Sequence, residues 1–266
     1  MSYKFYSLKT GHEQDSQQWD GRSINGELAA FAERSLAKVF DKYLNGHTFR
    51  IIEAGCGLGA WCEWLKRKGQ DVVGLEYFED IVTKVKNFMP ESSVELGDVT
   101  AINYEDDSFD MYVSLGVIEH FEQGPEKALS EAYRVLRTGG IAFFTVPVLT
   151  PLRKYIAHPI RDIYFFMKKS DKHPKFFWEY RYTSEEMRDY IEKAGFKVLE
   201  EGVDDYDNGV NNRHMGLWAD WFFLRNKSGE IWELNTAGKI LLKFLKLFLP
   251  NSWYCCGWLV VAKVCK

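Results

Sequence analysis

The sequence predicts a doubly wound α/β fold, in which helices cover both faces of a mostly parallel sheet. Two observations carry this prediction. Between residues 49 and 146, short apolar runs of strand length alternate with segments of helical spacing, which is typical of βαβ units. The first apolar run also stops at a cluster of glycines directly before a helix, where such folds bring their backbone close to a ligand.

Composition narrows the class of protein. The 266 residues suffice for one large domain with insertions. A net charge of −4 without a long polybasic block disfavours nucleic acid as a partner. The five cysteines lack zinc-site spacing, and their odd number favours a reducing compartment over a disulfide framework. No apolar run approaches the roughly 20 residues of a membrane span. We expect a soluble, cytoplasmic protein with no metal site.

Residues 1–46 are predicted to form an N-terminal arm and a helix. Residues 1–26 are polar and contain glycine and an isolated Trp19, which indicates an irregular arm, whereas residues 27–44 carry apolar side chains at helical spacing. The Asn45-Gly46 pair is expected to end this helix.

Residues 47–147 are predicted to form the ligand-binding core of the sheet. Its elements are expected, in order, at strand 49–54, helix 59–69, strand 71–76, helix 79–88, strand 93–97, strand 109–115, helix 124–137 and strand 141–146.

Beyond Pro147 the alternation stops. Residues 148–182 hold three prolines and many aromatic side chains, and we predict that they form an inserted lid or cap. Residues 183–266 are expected to complete the sheet, with a helix at 184–194, strands at 196–201 and 258–264, and an inserted amphipathic helix at 238–249.

The glycine cluster reads Glu53-Ala54-Gly55-Cys56-Gly57-Leu58-Gly59. Glycine allows the backbone to turn tightly and to approach a ligand closely, while free N–H groups at the helix start face the crevice. The pattern Gly55-x-Gly57-x-x-Ala60 also fits a nicotinamide-dinucleotide fingerprint, and a purely structural turn is a third interpretation.

Glu76 ends the second core strand, 17 residues after Gly59. A carboxylate at this position can accept hydrogen bonds from both hydroxyls of a ribose. Glu76 could also be an ordinary solvated carboxylate at a strand end. Together with the glycine turn, however, it favours a site for a nucleoside ligand.

Taken in order, these features resemble the class I S-adenosylmethionine-dependent methyltransferases across roughly residues 49–146, and more loosely to 201. The glycine turn and Glu76 are similar to the family's first motif and ribose acid. Three further segments match in order: Leu96-Gly97-Asp98-Val99, the fourth strand and its exit at 109–121, and the helix end and turn at 134–140. The resemblance implies a Rossmann-like, seven-stranded, mostly parallel sheet with an antiparallel last strand.

The resemblance also implies S-adenosylmethionine as the cofactor and S-adenosylhomocysteine as its product. The three glycines of the cluster would pack against the methionine part and the sugar, and Glu53 would orient the site, although aspartate is commoner there. Asp98 and the Val99 backbone would hold the adenine, Tyr77 would flank the adenine or ribose, and Leu115 would offer its backbone to the methionine amino group.

His120 is the candidate catalytic residue, because it follows the fourth strand at the rim where the methyl group should emerge. It would deprotonate or orient the acceptor; the alternative is a local structural role with Glu119. His158, His173 and His214 are weaker candidates, more often plain surface residues.

The acceptor is expected to be a small molecule, a sugar-containing compound or a lipid-linked precursor, with oxygen favoured as the methylated atom. The 148–182 insertion would form a lid over an apolar acceptor or the core of a small subdomain. Arg153, Lys154 and Arg161 would meet an anionic acceptor or form solvated surface charge.

Lysines alternate with apolar residues in the 238–249 segment, which would make a peripheral membrane contact or pack on the sheet or in a dimer. Two other functions remain open, a non-catalytic regulatory protein that binds the same cofactor and an NAD-dependent oxidoreductase. No pattern in the sequence indicates the oligomeric state.

Overall fold

The computed structural model describes residues 2–7, 24–31, 35–167, 176–204, 214–227 and 233–266. The described strands are β1 (Tyr3–Ser7), β2 (Arg50–Ala54), β3 (Asp71–Glu76), β4 (Val94–Leu96), β5 (Phe109–Leu115), β6 (Leu136–Pro147), β7 (Phe176–Arg181), β8 (Phe196–Asp204) and β9 (Gly257–Val264). The described α-helices are α1 (Ile24–Phe31), α2 (Ser35–Leu44), α3 (Ala60–Arg67), α4 (Glu79–Phe88), α5 (Glu126–Val135), α6 (His158–Met167), α7 (Ser184–Lys193), α8 (Met215–Asp220) and α9 (Thr236–Phe248).

Seven strands form the main sheet, in the order β4-β3-β2-β5-β6-β9-β8. All of its pairings are parallel except the two made by β9, which runs antiparallel to β6 and β8. The predicted fold class is confirmed, including the antiparallel last strand. The chain steps outward from β2 to β4 and then returns to β5, so the strand order reverses between β2 and β5.

Helices cover both faces of this sheet with separate apolar clusters. Phe40 of α2 and Trp61 of α3 pack on one face, whereas Leu129 of α5 and Met187 of α7 pack on the other. Neighbouring residues of a strand point to opposite faces, and the adjacent Phe143 and Phe144 of β6 accordingly enter different clusters. The sheet is thus the middle layer between two sets of helices.

The predicted irregular arm is wrong at Tyr3–Ser7, which forms β1 and pairs antiparallel with β7 in a second, two-stranded sheet. The rest of that arm up to residue 23, including Trp19, lies outside the described residues. The predicted 27–44 helix corresponds to α1 and α2, with residues 32–34 between them also outside the described part. The predicted core helix 124–137 ends earlier, at Val135, because β6 begins at Leu136 and pairs with β5 from there.

The 148–182 segment holds a π-helical turn at Arg153–Ala157, helix α6 and strand β7. Helix α9 packs through Leu242 and Leu245 into a third apolar cluster with Leu217 and Leu224, not on the main sheet. Among the described helices, none has the length and apolarity to cross a membrane. The division of the chain into arm, core, lid and completing region stays a prediction.

Candidate cofactor and acceptor site

A cavity of about 900 Å³ opens at the carboxyl edge of the main sheet. The ends of β2, β3, β5 and β6 contribute Gly55, Glu76, Leu115 and Thr145 to its lining. Ligands of open α/β sheets bind at this edge, where the strand order reverses. The volume lies near the upper end of the roughly 300–1,000 Å³ that is typical of small-molecule sites, so it suits a ligand as large as a nucleoside with a second molecule beside it.

The glycine loop after β2 follows a path that requires glycine. Gly55, Gly57 and Gly59 have φ angles of 79°, 55° and 69°, in the left-handed region that glycine adopts without steric cost. Gly55 also has no room for a side chain, because a Cβ there would lie 2.5 Å from Cγ2 of Val117. The loop therefore brings bare backbone to the cavity wall just before α3.

Glu76 fastens this loop to the end of β3. Its Oε2 accepts a hydrogen bond from the Gly57 N–H at 2.8 Å, and its Oε1 accepts one from the Phe78 N–H at 3.0 Å. Burial raises the pKa of this carboxyl, and the two hydrogen bonds oppose the rise. Carboxylate oxygens keep further lone pairs beyond these bonds, so Glu76 can hold the loop and accept hydrogen bonds from a diol in the cavity.

Glu53 is a buried carboxyl beneath the same loop. Its Oε2 accepts a hydrogen bond from the Cys62 thiol at 2.9 Å. Burial raises the pKa of Glu53 to about 8, although the hydrogen bond from Cys62 works against this rise. The side chain is 3% exposed and lines the cavity. A cationic group of a ligand beside it would lower the pKa of this carboxyl and favour its ionised form.

Tyr77, Asp98, Val99 and Leu115 also line the cavity. Asp98 Oδ1 accepts hydrogen bonds from the N–H and the hydroxyl of Thr100, both at 2.8 Å, and so holds the turn after β4. Tyr77 is 59% exposed, which leaves its ring available to a planar group. The structure thus brings together every residue predicted for the site except Gly57 and Gly59, which shape the loop without lining the cavity.

His120 lies at the rim of the cavity, in a short 3₁₀ turn after β5. Its Nδ1 lies 2.7 Å from the carbonyl oxygen of Trp178. Because a carbonyl only accepts, Nδ1 carries the proton of this hydrogen bond. Burial lowers the pKa of His120 to about 4, while backbone hydrogen bonds with Trp178 and Gly116 oppose the decrease. The ring is therefore neutral at pH 7, and strand β7 fixes its orientation.

Glu119 is a second buried acid in the cavity lining, 1% exposed. Its Oε1 lies 3.8 Å from Nε2 of His120, and no donor in the described part of the chain reaches its Oε2. Burial raises the pKa of Glu119 well above its usual range. Glu119 therefore adds a second buried carboxyl to the cavity lining, next to His120.

Part of the cavity wall is formed by a buried ionic cluster. Asp220 accepts a hydrogen bond from Arg153 Nε at 2.8 Å and another from Arg181, and Arg181 Nε donates to Glu179 at 3.0 Å. Burial works to raise the pKa of Asp220, but the two arginines outweigh it and hold the pKa below its usual range. Arg153 and Arg181 line the cavity, so the paired cluster forms a charged wall.

Arg225 lines the same side of the cavity. Its guanidinium lies over the Trp218 ring, 3.9 Å from the centroid, and Nε donates to the Trp218 carbonyl at 2.6 Å. Burial lowers the pKa of Arg225, with Asp220 opposing the effect. The second indole at this wall, Trp178, meets the His120 ring edge to face at 6.2 Å. The wall thus combines flat aromatic surface with a cation.

The remaining sequence candidates lie elsewhere. Arg161 donates to the Tyr6 carbonyl, and Lys154 is exposed over the Tyr155 ring. His158 and His214 are buried, which corrects the expectation of surface positions. His158 accepts a hydrogen bond from Arg181 at 2.6 Å, and burial with the arginine's charge lowers its pKa to about 3. His173 lies outside the described residues, among which no group suited to a metal ion occurs.

Sequence reasoning missed several lining residues, namely Phe5, Glu179, Arg181, Trp218 and Arg225. It also missed Asp220, which pairs with Arg181 behind the lining. Arg181 and Asp220 are 39 positions apart, and nothing local marks either as a partner. The one local signal was the high density of aromatic residues at 218–223, which is unusual for a solvent-exposed segment.

Comparisons with known proteins agree with this geometry. A family model described as a methyltransferase domain matches residues 52–144. A demethylmenaquinone methyltransferase of Renibacterium salmoninarum is 31% identical over 175 residues, which cover 64% of this chain and 72% of that protein. The 2-methyl-6-phytyl-1,4-hydroquinone methyltransferase 2 of Oryza sativa subsp. japonica is 36% identical over 201 residues, covering 73% of this chain and 49% of that protein.

The chain spans about half the length of several curated relatives that it matches. A solved structure of a Methanosarcina mazei methyltransferase superimposes with a TM-score of 0.58 at 14% identity, covering 85% of this chain and 97% of that one; this similarity shows the fold. The sequence match to the Renibacterium protein shows the family. The chain belongs to the S-adenosylmethionine-dependent methyltransferases.

Proposed function

We propose that this chain transfers a methyl group from S-adenosylmethionine to a small-molecule acceptor, and that both ligands occupy the one cavity. The observation that carries the proposal is the composition of the cavity lining. The lining includes Gly55, Glu53, Glu76 and Asp98 together with Trp178, Trp218 and three arginines, Arg153, Arg181 and Arg225.

The lining residues at the ends of the strands fit the cofactor. The positive φ angles of the loop and the missing space at Gly55 leave backbone where a ligand must approach closely. We assign the ribose hydroxyls to Glu76, the adenine to Asp98, Val99 and Tyr77, and the methionine part to Glu53, Gly55 and the Leu115 backbone. When bound, the cofactor supplies an electrophilic methyl group on a positively charged sulfur.

The protein's task is chiefly to align the acceptor with that methyl group and to exclude water. His120 is neutral and fixed by Trp178, so we propose that it orients the acceptor. With a pKa near 4, it is a weak general base at neutral pH, since an effective base has a pKa near the working pH. Glu119 stands beside it, and we propose that its carboxyl forms a hydrogen bond with the acceptor.

For the acceptor, we propose a ring-containing molecule methylated at oxygen. Two relatives are named for demethylmenaquinone and for 2-methyl-6-phytyl-1,4-hydroquinone, and the indole rings of Trp178 and Trp218 in the cavity lining suit a planar ring. The phytyl group in the second name supports a lipid-linked acceptor. We further propose that the protein is cytoplasmic and contacts a membrane peripherally through 238–249.

The first experiment is calorimetric titration with S-adenosylmethionine, S-adenosylhomocysteine and NAD. We expect binding of both adenosyl compounds, no binding of NAD, and loss of binding in Gly57→Arg, because Gly57 is left-handed and its N–H bonds Glu76. Gly46→Arg is the matched control, since Gly46 also has a positive φ, of 77°, but lies outside the cavity.

Labelled methyl donor with a panel of hydroquinones and phenols then tests the transfer. Binding without product from any acceptor in the panel would favour a regulatory protein over an enzyme. NAD binding alone, or no binding by the folded protein, would overturn the proposal.

A further inference from the structure

A large apolar surface remains exposed on the described part of the chain. It consists of side chains from the 155–167 segment, from a short turn at 222–223 and from α9. We call it the apolar surface; its members are Tyr155, Ile156, Ile160, Ile163, Phe166, Met167, Phe222, Phe223, Ile240, Phe244, Leu247 and Phe248. Phe166 is 85% exposed, Met167 76% and Leu247 74%. Soluble proteins rarely expose a large apolar patch unless it meets a partner or a membrane.

Helix α9 shows how this surface is organised. Leu242 and Leu245 are buried against the third apolar cluster, while Ile240, Phe244 and Leu247 are exposed. These three are spaced i, i+4 and i+7, so they form one stripe along the helix. At 100° per residue, this stripe lies opposite the buried one. The helix is therefore apolar on two faces, of which the protein covers one.

Lysines form a third stripe on the same helix. Lys239, Lys243 and Lys246 repeat the i, i+4, i+7 spacing and lie about 70–130° from the centre of the apolar stripe. The side chain of Lys239 also contacts Glu233 at 3.1 Å. A parallel arrangement of apolar and basic stripes is typical of helices that lie in a membrane interface, whereas protein interfaces are depleted of lysine.

The three parts of the apolar surface are joined by contacts. Tyr164 of α6 meets Phe222 with ring centroids 6.1 Å apart. Leu224, at the end of the same turn, packs with Leu242 and Leu245 of α9. The turn therefore connects α6 to α9, and the exposed side chains belong to one continuous region of the protein.

This region adjoins the cavity. Trp218 and Arg225 line the cavity and flank the turn that carries Phe222 and Phe223. Arg153 also lines it, and the next two residues, Lys154 and Tyr155, are exposed. A molecule that leaves a bilayer beneath the apolar surface would meet the cavity wall directly.

We propose that the apolar surface docks on a lipid bilayer that contains anionic lipids, with the apolar side chains inserted and the lysines at the headgroups. The proposal extends the membrane contact beyond α9 to α6 and the 222–223 turn, and commits it to anionic lipid. It rests on the membrane contact of the proposed function but not on methyl transfer, so vesicle binding and catalysis can fail independently.

The test is co-sedimentation of the protein with vesicles, without cofactor. We expect strong binding to mixed phosphatidylcholine–phosphatidylglycerol vesicles, weaker binding to phosphatidylcholine alone, and a decrease at high salt. Phe244→Glu should weaken binding by about tenfold or more, and Lys243→Gln should weaken it by about fivefold, on anionic vesicles only.

Phe88→Glu is the matched control, because Phe88 is 55% exposed and Phe244 56%, but Phe88 belongs to α4. All variants are checked for folding by thermal denaturation and for S-adenosylmethionine binding, which should not change. Absence of wild-type binding to anionic vesicles, or an equal loss in Phe88→Glu, would overturn the proposal. So would self-association that Phe244→Glu abolishes while vesicles bind nothing, since the surface would then contact a second copy.

Discussion

Glu53 couples the stability of the glycine loop to pH. Its pKa is about 8 in the folded protein against an ordinary value of 4.5, so the folded state keeps a proton that the unfolded state releases in this window. The free energy of unfolding contributed by this group therefore falls as pH rises from about 4.5 to about 8, and is constant above that.

Glu53→Gln should remove this dependence. Relative to wild type, the variant's free energy of unfolding should rise by about 4 kcal/mol from about pH 5 to about pH 8.5, at about 1.4 kcal/mol per pH unit. Denaturant unfolding at both pH values measures the difference. Because Glu76 and Glu119 are unchanged in both proteins, parallel pH dependences in wild type and variant would show that Glu53 ionises normally.

His120 is expected to influence turnover without titrating near neutrality. His120→Ala should lower kcat by about tenfold or more and leave cofactor affinity unchanged, because the ring lies at the rim. With a pKa near 4, it should add no limb to the profile of kcat between about pH 6 and 8. A limb in that range that disappears in His120→Gln would instead identify a general base.

A buried salt bridge between Arg181 and Asp220 joins strand β7 to helix α8, and Arg153 pairs with the same carboxylate. In the Arg153–Asp220 pair, the side chains are 6% and 7% exposed. Asp220→Ala leaves two buried arginines without their shared carboxylate and should destabilise the fold by about 3–5 kcal/mol. Asp106→Ala, which breaks the exposed Arg134 pair at 2.9 Å, should cost at most about 1 kcal/mol. Equal losses of stability in the two variants would contradict this.

Prediction from the sequence succeeded where each strand has a pairing partner nearby in the chain. Within 49–146, each strand pairs with a neighbour reached by a short connection, and the apolar pattern of each element is local. Strand β1 was missed because its partner β7 lies more than 160 positions later. Glu119 was recognised as part of a motif, but its burial depends on packing, as does the absence of a donor to its Oε2 within the described residues.

Cofactor binding should stabilise the whole molecule, since the cavity is lined from both ends of the chain, from Phe5 to Gly257. At a hundredfold excess over Kd, S-adenosylmethionine adds about 2.7 kcal/mol, or roughly 5–10 °C in Tm for a chain of this size. Differential scanning fluorimetry measures the shift, which Gly57→Arg should lack and Gly46→Arg should retain. No shift in Gly46→Arg would mean that the loss in Gly57→Arg is unspecific.

The reversed direction of β9 has a practical consequence for spectroscopy. Because β9 runs against its neighbours, the chain ends at the amino edge of the sheet, where the Lys266 ammonium donates to the Leu136 carbonyl at 2.7 Å. Cys265 lies at the same edge. Of the five free cysteines, it is exposed and the other four are buried. A maleimide dye attached to this thiol would sit on the far side of the sheet from the cavity, and would give a fluorescent reporter without any substitution in the protein.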